Sequence, residues 1–423
     1  MIAWWEMRVA ITRYVFLVGL AACHAHVPAV PGQGGPAWRE VTSPHFTVWT
    51  DADLNDARAV VTRMERMRAV LAYAAFPSAP AAGRGLAIVL RGDGELRAFS
   101  PTDEVRPFAA EVEAPLWQPL IVLSASSQRA ELERTLAHEL THAISFGVVH
   151  SQPRWFSEGM ATYFQSAGLD PRKPIVEIGG SPTGGQIDVH RVQPIRDLFG
   201  WTQMTRDEGD KYLTAWALFF FLSNQHADEL QRFAHLLDVA GPAVVHDAAL
   251  VERLWDQAFT RVPFAQVDGA LTQWLFTGSS YTVQRFRVDV GDLAITERPL
   301  GDGDVYAIRA LLRHLAHRPA AEVHADLTSA LAQNNTQILA RVMAYALDHA
   351  GFTPDLARSI RDDNKDDWRA WLLLADVLAS SDPAGADAAR ARACGLVANN
   401  PALSPPPKLC PPGLVGHSAA DSE

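Results

Sequence analysis

The residues whose types and spacing can do chemistry are concentrated in His138-Glu139-Leu140-Thr141-His142. At about 100° per residue of helix, two positions four apart differ in direction by only about 40°. Both imidazoles therefore leave one face, one turn apart, and can share a metal ion. Glu139 stands beside them, where a carboxylate can reach a water on that ion without being a ligand, the position of a general base. With 15 histidines in 423 residues, chance supplies this five-residue pattern roughly 0.03 times per chain, so the spacing is informative. A third ligand lies downstream in Pro153-Arg-Trp155-Phe-Ser-Glu158-Gly159-Met-Ala161-Thr-Tyr163. An antiparallel return of that segment as a helix brings the Glu158 carboxylate, 16 residues after His142, to the same ion.

These residues need elements to hold them. Residues 128–146 carry Leu132, Leu136, Leu140 and Ile144 at four-residue spacing, which predicts a helix with one buried face that leaves His138 and His142 off the core side. Upstream, 46–50, 86–90 and 119–124 read as short strands, and 54–76 as a helix ending at Pro77. Downstream, 155–165, 208–223, 227–240 and 264–276 read as helices, and 281–295 alternates like a hairpin turning at Gly291-Asp292. Few strands among many helices predict an α+β fold, a small mixed sheet plus helices. From about residue 300 the pattern is helical only. Three segments, 305–337, 338–367 and 368–401, each end near an Asn- or Asp-rich turn, and the period of about 33 residues predicts stacked helical hairpins. Trp371-x-x-Leu374-Ala375 gives the last of them a weak resemblance to a tetratricopeptide unit.

The HExxH pattern with the downstream W-x-x-E-G-x-A-x-Y resembles the gluzincin zinc metallopeptidases, in particular the bacterial peptidase-MA-like group. The resemblance covers roughly residues 38–280, and its specific motifs cover 138–163. It implies a zincin-like domain, a single Zn2+ held by His138, His142 and Glu158 with one position left open, Glu139 as general base, and a peptide or protein substrate. It also implies a tyrosine from a later helix as a second oxyanion donor. Tyr212 occupies that place, 54 residues after Glu158. The alternative for Tyr212 is a core aromatic, because Tyr212, Trp216, Phe219 and Phe220 follow helical spacing. The strand at 120–124 corresponds to the one whose open edge holds extended peptide in this fold, with a plain core strand as the alternative. No acid stands one turn after Glu158, where Thr162 is found, so the group that orients a ligand histidine is unassigned.

The amino-terminal segment is an address. Arg8 and Arg13 precede an apolar run ending in Leu20-Ala21-Ala22-Cys23, which resembles the lipobox of bacterial lipoproteins. That resemblance implies lipid attachment at Cys23 and an anchored, extracytoplasmic protein of the cell envelope. An oxidising compartment permits Cys394 and Cys410 to pair, a bridge that adds about 3 kcal/mol in the chain-entropy model. The expected organisation is a signal segment 1–23, a Pro- and Gly-rich flexible tether 24–37, the metallopeptidase-like domain with its terminal hairpin 38–298, a helical module 299–402 able to recruit a protein partner, and a Pro-rich tail 403–423. Lys and Arg number 37 against 48 Asp and Glu, a net charge of −11, which excludes a general nucleic-acid binder because a phosphate-facing surface needs surplus cation. Two other readings stay open: a non-catalytic envelope adaptor that keeps the metallopeptidase-like fold, and hydrolysis of a non-protein amide or ester by the same metal chemistry.

Overall fold

A computed structural model describes residues 27, 29–75, 85–99, 108–110, 120–126, 129–146, 148–149, 151–169, 173–182, 188–202, 208–277, 283–398 and 410. The signal segment, Cys23 and the tail other than Cys410 lie outside the described residues. In chain order the elements begin with β1 (Trp38–Thr42), β2 (Phe46–Thr50), α1 (Leu54–Ala74), β3 (Gly85–Leu90), α2 (Asp93–Ala98), β4 (Phe108–Ala110) and β5 (Leu120–Ser124). They continue with α3 (Arg129–Ser145), α4 (Arg154–Phe164), β6 (Ile175–Ile178), α5 (Ile195–Phe199), α6 (Gly209–Gln225), α7 (Ala227–Ala240), α8 (Ala248–Ala258), α9 (Val267–Thr277), β7 (Gln284–Arg287) and β8 (Thr296–Leu300). Six helices follow among the described residues: α10 (Asp302–Leu315), α11 (Ala320–Gln333), α12 (Ile338–Leu347), α13 (Pro354–Asp363), α14 (Trp368–Leu378) and α15 (Pro383–Ala398). The class is α+β, and among the described residues no helix is long and apolar enough to cross a membrane.

The main sheet has six strands in the order β4-β5-β3-β2-β1-β8. The pairs β2–β3 and β3–β5 run parallel, while β1 with β2, β8 with β1, and β4 with β5 run antiparallel. The central strands read as unbroken apolar runs because both of their faces are covered. On one face Val41, Val48, Ala87, Val89, Ile121 and Leu123 pack in the core that holds Val60, Met64 and Met67 of α1 and Leu132, Leu136 and Leu140 of α3. On the other face Leu86, Ile88, Leu90, Leu120 and Val122 meet Val305, Ile308, Leu311 and Leu312 of α10.

That second layer changes three expectations. Residue 298 is no domain boundary: β8 crosses it and pairs with β1, and α10 shares a core with the sheet. A run of amphipathic helices shows that a face is buried without showing against what. Among the described residues the expected hairpin at 281–295 does not form either, since β7 pairs with β6 and the strand that follows it, β8, joins the main sheet. Nor are residues 29–37 a tether. Val30 is fully buried in the second core, the Gly32 amide donates to Asp302 Oδ1 at 2.9 Å, and the Gln33 amide bonds the Tyr306 hydroxyl at 3.0 Å. The Pro and Gly residues there shape a tight turn, Pro31–Gln33, closed by Gly34 at φ 83°.

After β8, α10 packs on α11 and α14 on α15, but the expected hairpin over 338–367 does not form: α12 and α13 both pack on α14 rather than on each other. Cys394 near the end of α15 is joined to Cys410, with Cα atoms 5.6 Å apart.

Candidate metal centre

Helix α3 lays Leu136 and Leu140 into the core and turns His138, half-buried, toward α4. The connection between the two helices is short and tied: the Gln152 side-chain amide donates to the Val149 carbonyl at 2.9 Å and to Ser145 Oγ at 3.2 Å. Pro153, which cannot extend a preceding helix, sets the start of α4. Helix α4 is apolar on nearly every side, with Trp155, Phe156, Met160, Tyr163 and Phe164 all buried. It also runs unusually close to α6, because a Cβ on Gly159 would lie 2.5 Å from the Ala215 carbonyl oxygen. Only glycine permits that approach, which is the packing reason for a glycine directly after the carboxylate.

This geometry brings the three candidate ligands together. His138 Nε2 and His142 Nε2 are 3.1 Å apart, and Glu158 Oε2 lies 3.3 Å from the first and 3.5 Å from the second. For N and O ligands at about 2.0–2.1 Å from a tetrahedral ion, the ligand–ligand edge is about 3.3–3.4 Å, so the triangle matches one face of such a site. Glu158 Oε2 is buried without a hydrogen-bond partner of its own, an orphaned lone-pair donor of the kind that a cation satisfies. The donor set of two imidazoles and one carboxylate suits zinc and other borderline divalent metals.

Electrostatics supports the same grouping. Burial works against charge on Glu158, yet the contacts from His138 and His142 prevail and hold its carboxyl below the usual carboxylate range. Burial likewise opposes charge on His138, but Glu158, Glu139 and Gln165 outweigh it and the imidazole is raised above its ordinary value. Glu139, half-buried on α3, is close enough to His138 to contribute to that effect.

The partners that orient the ligands, unassigned from sequence, all come from α4 and its C-cap. His142 Nδ1 is 2.8 Å from Ser157 Oγ, a hydrogen bond that fixes the ring with Nε2 turned to the shared corner. Gln165 engages His138. Arg154 lies 3.4 Å from Glu158 Oε1, the oxygen turned away from the histidines. A signal for these residues was present: Arg154, Ser157, Glu158 and Gln165, at helical offsets of 0, 3, 4 and 11, fall within an arc of about 100°. Their ordinary residue types hid it.

Tyr212 sits near the start of α6, its ring edge-on to Trp201 at 5.1 Å. Burial first, and then the charge of Glu158, push its hydroxyl up to about 12 against the opposing influence of Arg154, so it stays protonated across the neutral range. Trp201, which the sequence reading passed over, carries the Arg154 guanidinium at 4.8 Å and Lys211 Nζ at 5.7 Å over its ring. The expected open edge at 120–124 is corrected: β5 is an inner strand between β3 and β4, and the outer position belongs to the three-residue β4. No family model matches this sequence, and a search of curated proteins finds no significant match.

Proposed function

We propose that this chain is a zinc-dependent metallopeptidase of the gluzincin type that hydrolyses peptide bonds of proteins or peptides in the bacterial cell envelope, anchored there by lipid on Cys23. The observation that carries the reading is the convergence of His138 Nε2, His142 Nε2 and Glu158 Oε2 at tetrahedral spacing beside a second carboxylate, Glu139. Zinc held by these three ligands would supply a Lewis acid and lower the pKa of water in the open position toward neutrality. Glu139 takes a proton from the attacking water and delivers it to the leaving amine. The Tyr212 hydroxyl, protonated at neutral pH, donates to the oxygen on which negative charge develops. Ser157, Gln165 and Arg154 keep the ligands in place while the substrate changes.

The test is zinc content combined with cleavage of denatured casein, with and without chelator. Glu139→Gln keeps stoichiometric zinc and loses cleavage, whereas Glu158→Ala loses both. Stoichiometric zinc with no cleavage of any peptide library would replace this reading by that of a binding adaptor. Cys23 is tested separately, by radiolabelled-lipid incorporation into wild type and Cys23→Ala.

A further inference from the structure

Arg154 touches more of the site than any single contact suggests. It opens α4, one turn before Glu158, and its side chain is only 21% exposed. Its guanidinium reaches Glu158 Oε1 at 3.4 Å, places its central carbon 4.8 Å from the Trp201 ring centroid, and is near enough to Tyr212, which packs on the same indole, to act on that hydroxyl. Trp201 is itself 3% exposed and packed edge-on against Tyr212, so the platform is fixed. The two oxygens of Glu158 are thereby divided, Oε1 to Arg154 and Oε2 to the two histidines.

Resting on the zinc reading above, we propose that Arg154 is the positioning residue of the centre: it holds Glu158 as a single-oxygen ligand and aims the Tyr212 proton at the substrate. A carboxylate with both oxygens unrestrained can rotate about its last bond and present either or both to a metal. A guanidinium bonded to the outer oxygen removes that freedom and leaves the inner one to the ion. At Tyr212 the same group acts in the complementary sense. By donating N–H to the phenolic oxygen, it occupies the acceptor side of the hydroxyl and leaves O–H to point elsewhere. Lysine cannot substitute, because a compact ammonium lacks the planar fork that serves two acceptors while stacking on an indole.

The test compares full-length wild type, Arg154→Lys and Arg154→Met, each checked for folding by thermal melting. Zinc affinity is measured by chelator competition and coordination by the visible spectrum of the cobalt(II)-loaded protein. We expect Arg154→Met to lose about 10–100-fold in zinc affinity and to show a weakened cobalt band, the mark of a carboxylate that has opened to two-oxygen ligation. Arg154→Lys shows the same band change despite keeping its charge, and carries the comparison alone if Arg154→Met does not fold. In the kinetic arm, Tyr212→Phe lowers kcat less in the Arg154→Lys background than in wild type. Wild-type zinc affinity and an unchanged cobalt spectrum in a folded Arg154 variant would overturn the inference while leaving the zinc reading intact. Wild type that takes up no zinc overturns both.

Discussion

Gly159→Ala acts directly on the close crossing of α4 and α6. The added methyl would stand 2.5 Å from the Ala215 carbonyl oxygen and 3.0 Å from its carbon, and ordinary contact begins at 3.4 Å. Both obstacles are helix backbone, so neither can rotate aside, and α4 and α6 must separate by about 0.9 Å at the crossing. Overpacking of this kind costs about 1–3 kcal/mol. Replacing a mid-helix glycine by alanine returns about 1 kcal/mol through helix propensity, so the net loss is about 0–2 kcal/mol, a fall in Tm of no more than a few degrees. Function suffers more than stability. Glu158 is adjacent to Gly159 on α4, and Tyr212 stands less than one turn before Ala215 on α6. The separation therefore draws the ligand away from the donor, and a misplacement of about 1 Å can cost about 100-fold in rate. The assay pairs melting with kcat/KM for a peptide substrate and with zinc affinity. A Gly159→Ala protein more stable than wild type and equal to it in both functional measurements would refute the close approach of α4 and α6 as the reason for this glycine.

Three further outcomes follow from other contacts. Glu229 is almost wholly buried; burial disfavours its charge, but His226, the Arg261 backbone and the Arg261 guanidinium more than offset this and hold it at about 2. Its folded value lies below the unfolded one of about 4.3, so its contribution is present above that pH and is lost as pH falls toward 2; the Tm of Glu229→Gln should lie below wild type at pH 7, with the two curves converging as pH drops below 4. Because His138, His142 and Glu158 tie α3 to α4, zinc at a free concentration of 100 times its Kd should stabilise the fold by about 2.7 kcal/mol and chelator should remove that gain, as a shift in Tm reads directly. Cys394→Ser removes the covalent tie to Cys410 and should make the carboxyl-terminal tail the first site cut in limited proteolysis, against a slower cut in the oxidised wild type.

The chemistry was more legible in the sequence than the architecture. His138 and His142 four apart on an amphipathic helix, with Glu158 on the next, fix their own geometry because both motifs are local and the turn between them is short. The supporting contacts were not read because Arg154, Ser157 and Gln165 are ordinary polar types, and only their shared helical face marks them. Longer-range pairing escaped for a different reason. Alternation over 281–295 indicates extended chain but carries no record of which strand will lie beside it, and β7 and β8 went to different sheets. The three-residue β4 is too short to leave a periodic signal. The segment around Val30 was misjudged because its Pro and Gly content outweighed one buried valine that anchors the turn.

The second layer of the sheet has a consequence for the order in which this protein can be made. Leu86, Ile88, Leu90, Leu120 and Val122 wait for Val305, Ile308, Leu311 and Leu312, roughly 200 residues later in synthesis, and the Gly32 amide waits 270 residues for Asp302. Until α10 has emerged, that side of the central strands is covered among the described residues only by a few apolar groups such as Val30, Leu96 and Phe99. Long-range closure of this kind is slow and leaves sticky intermediates. The second face of the main sheet therefore cannot close until about three-quarters of the chain, up to α10, has been made.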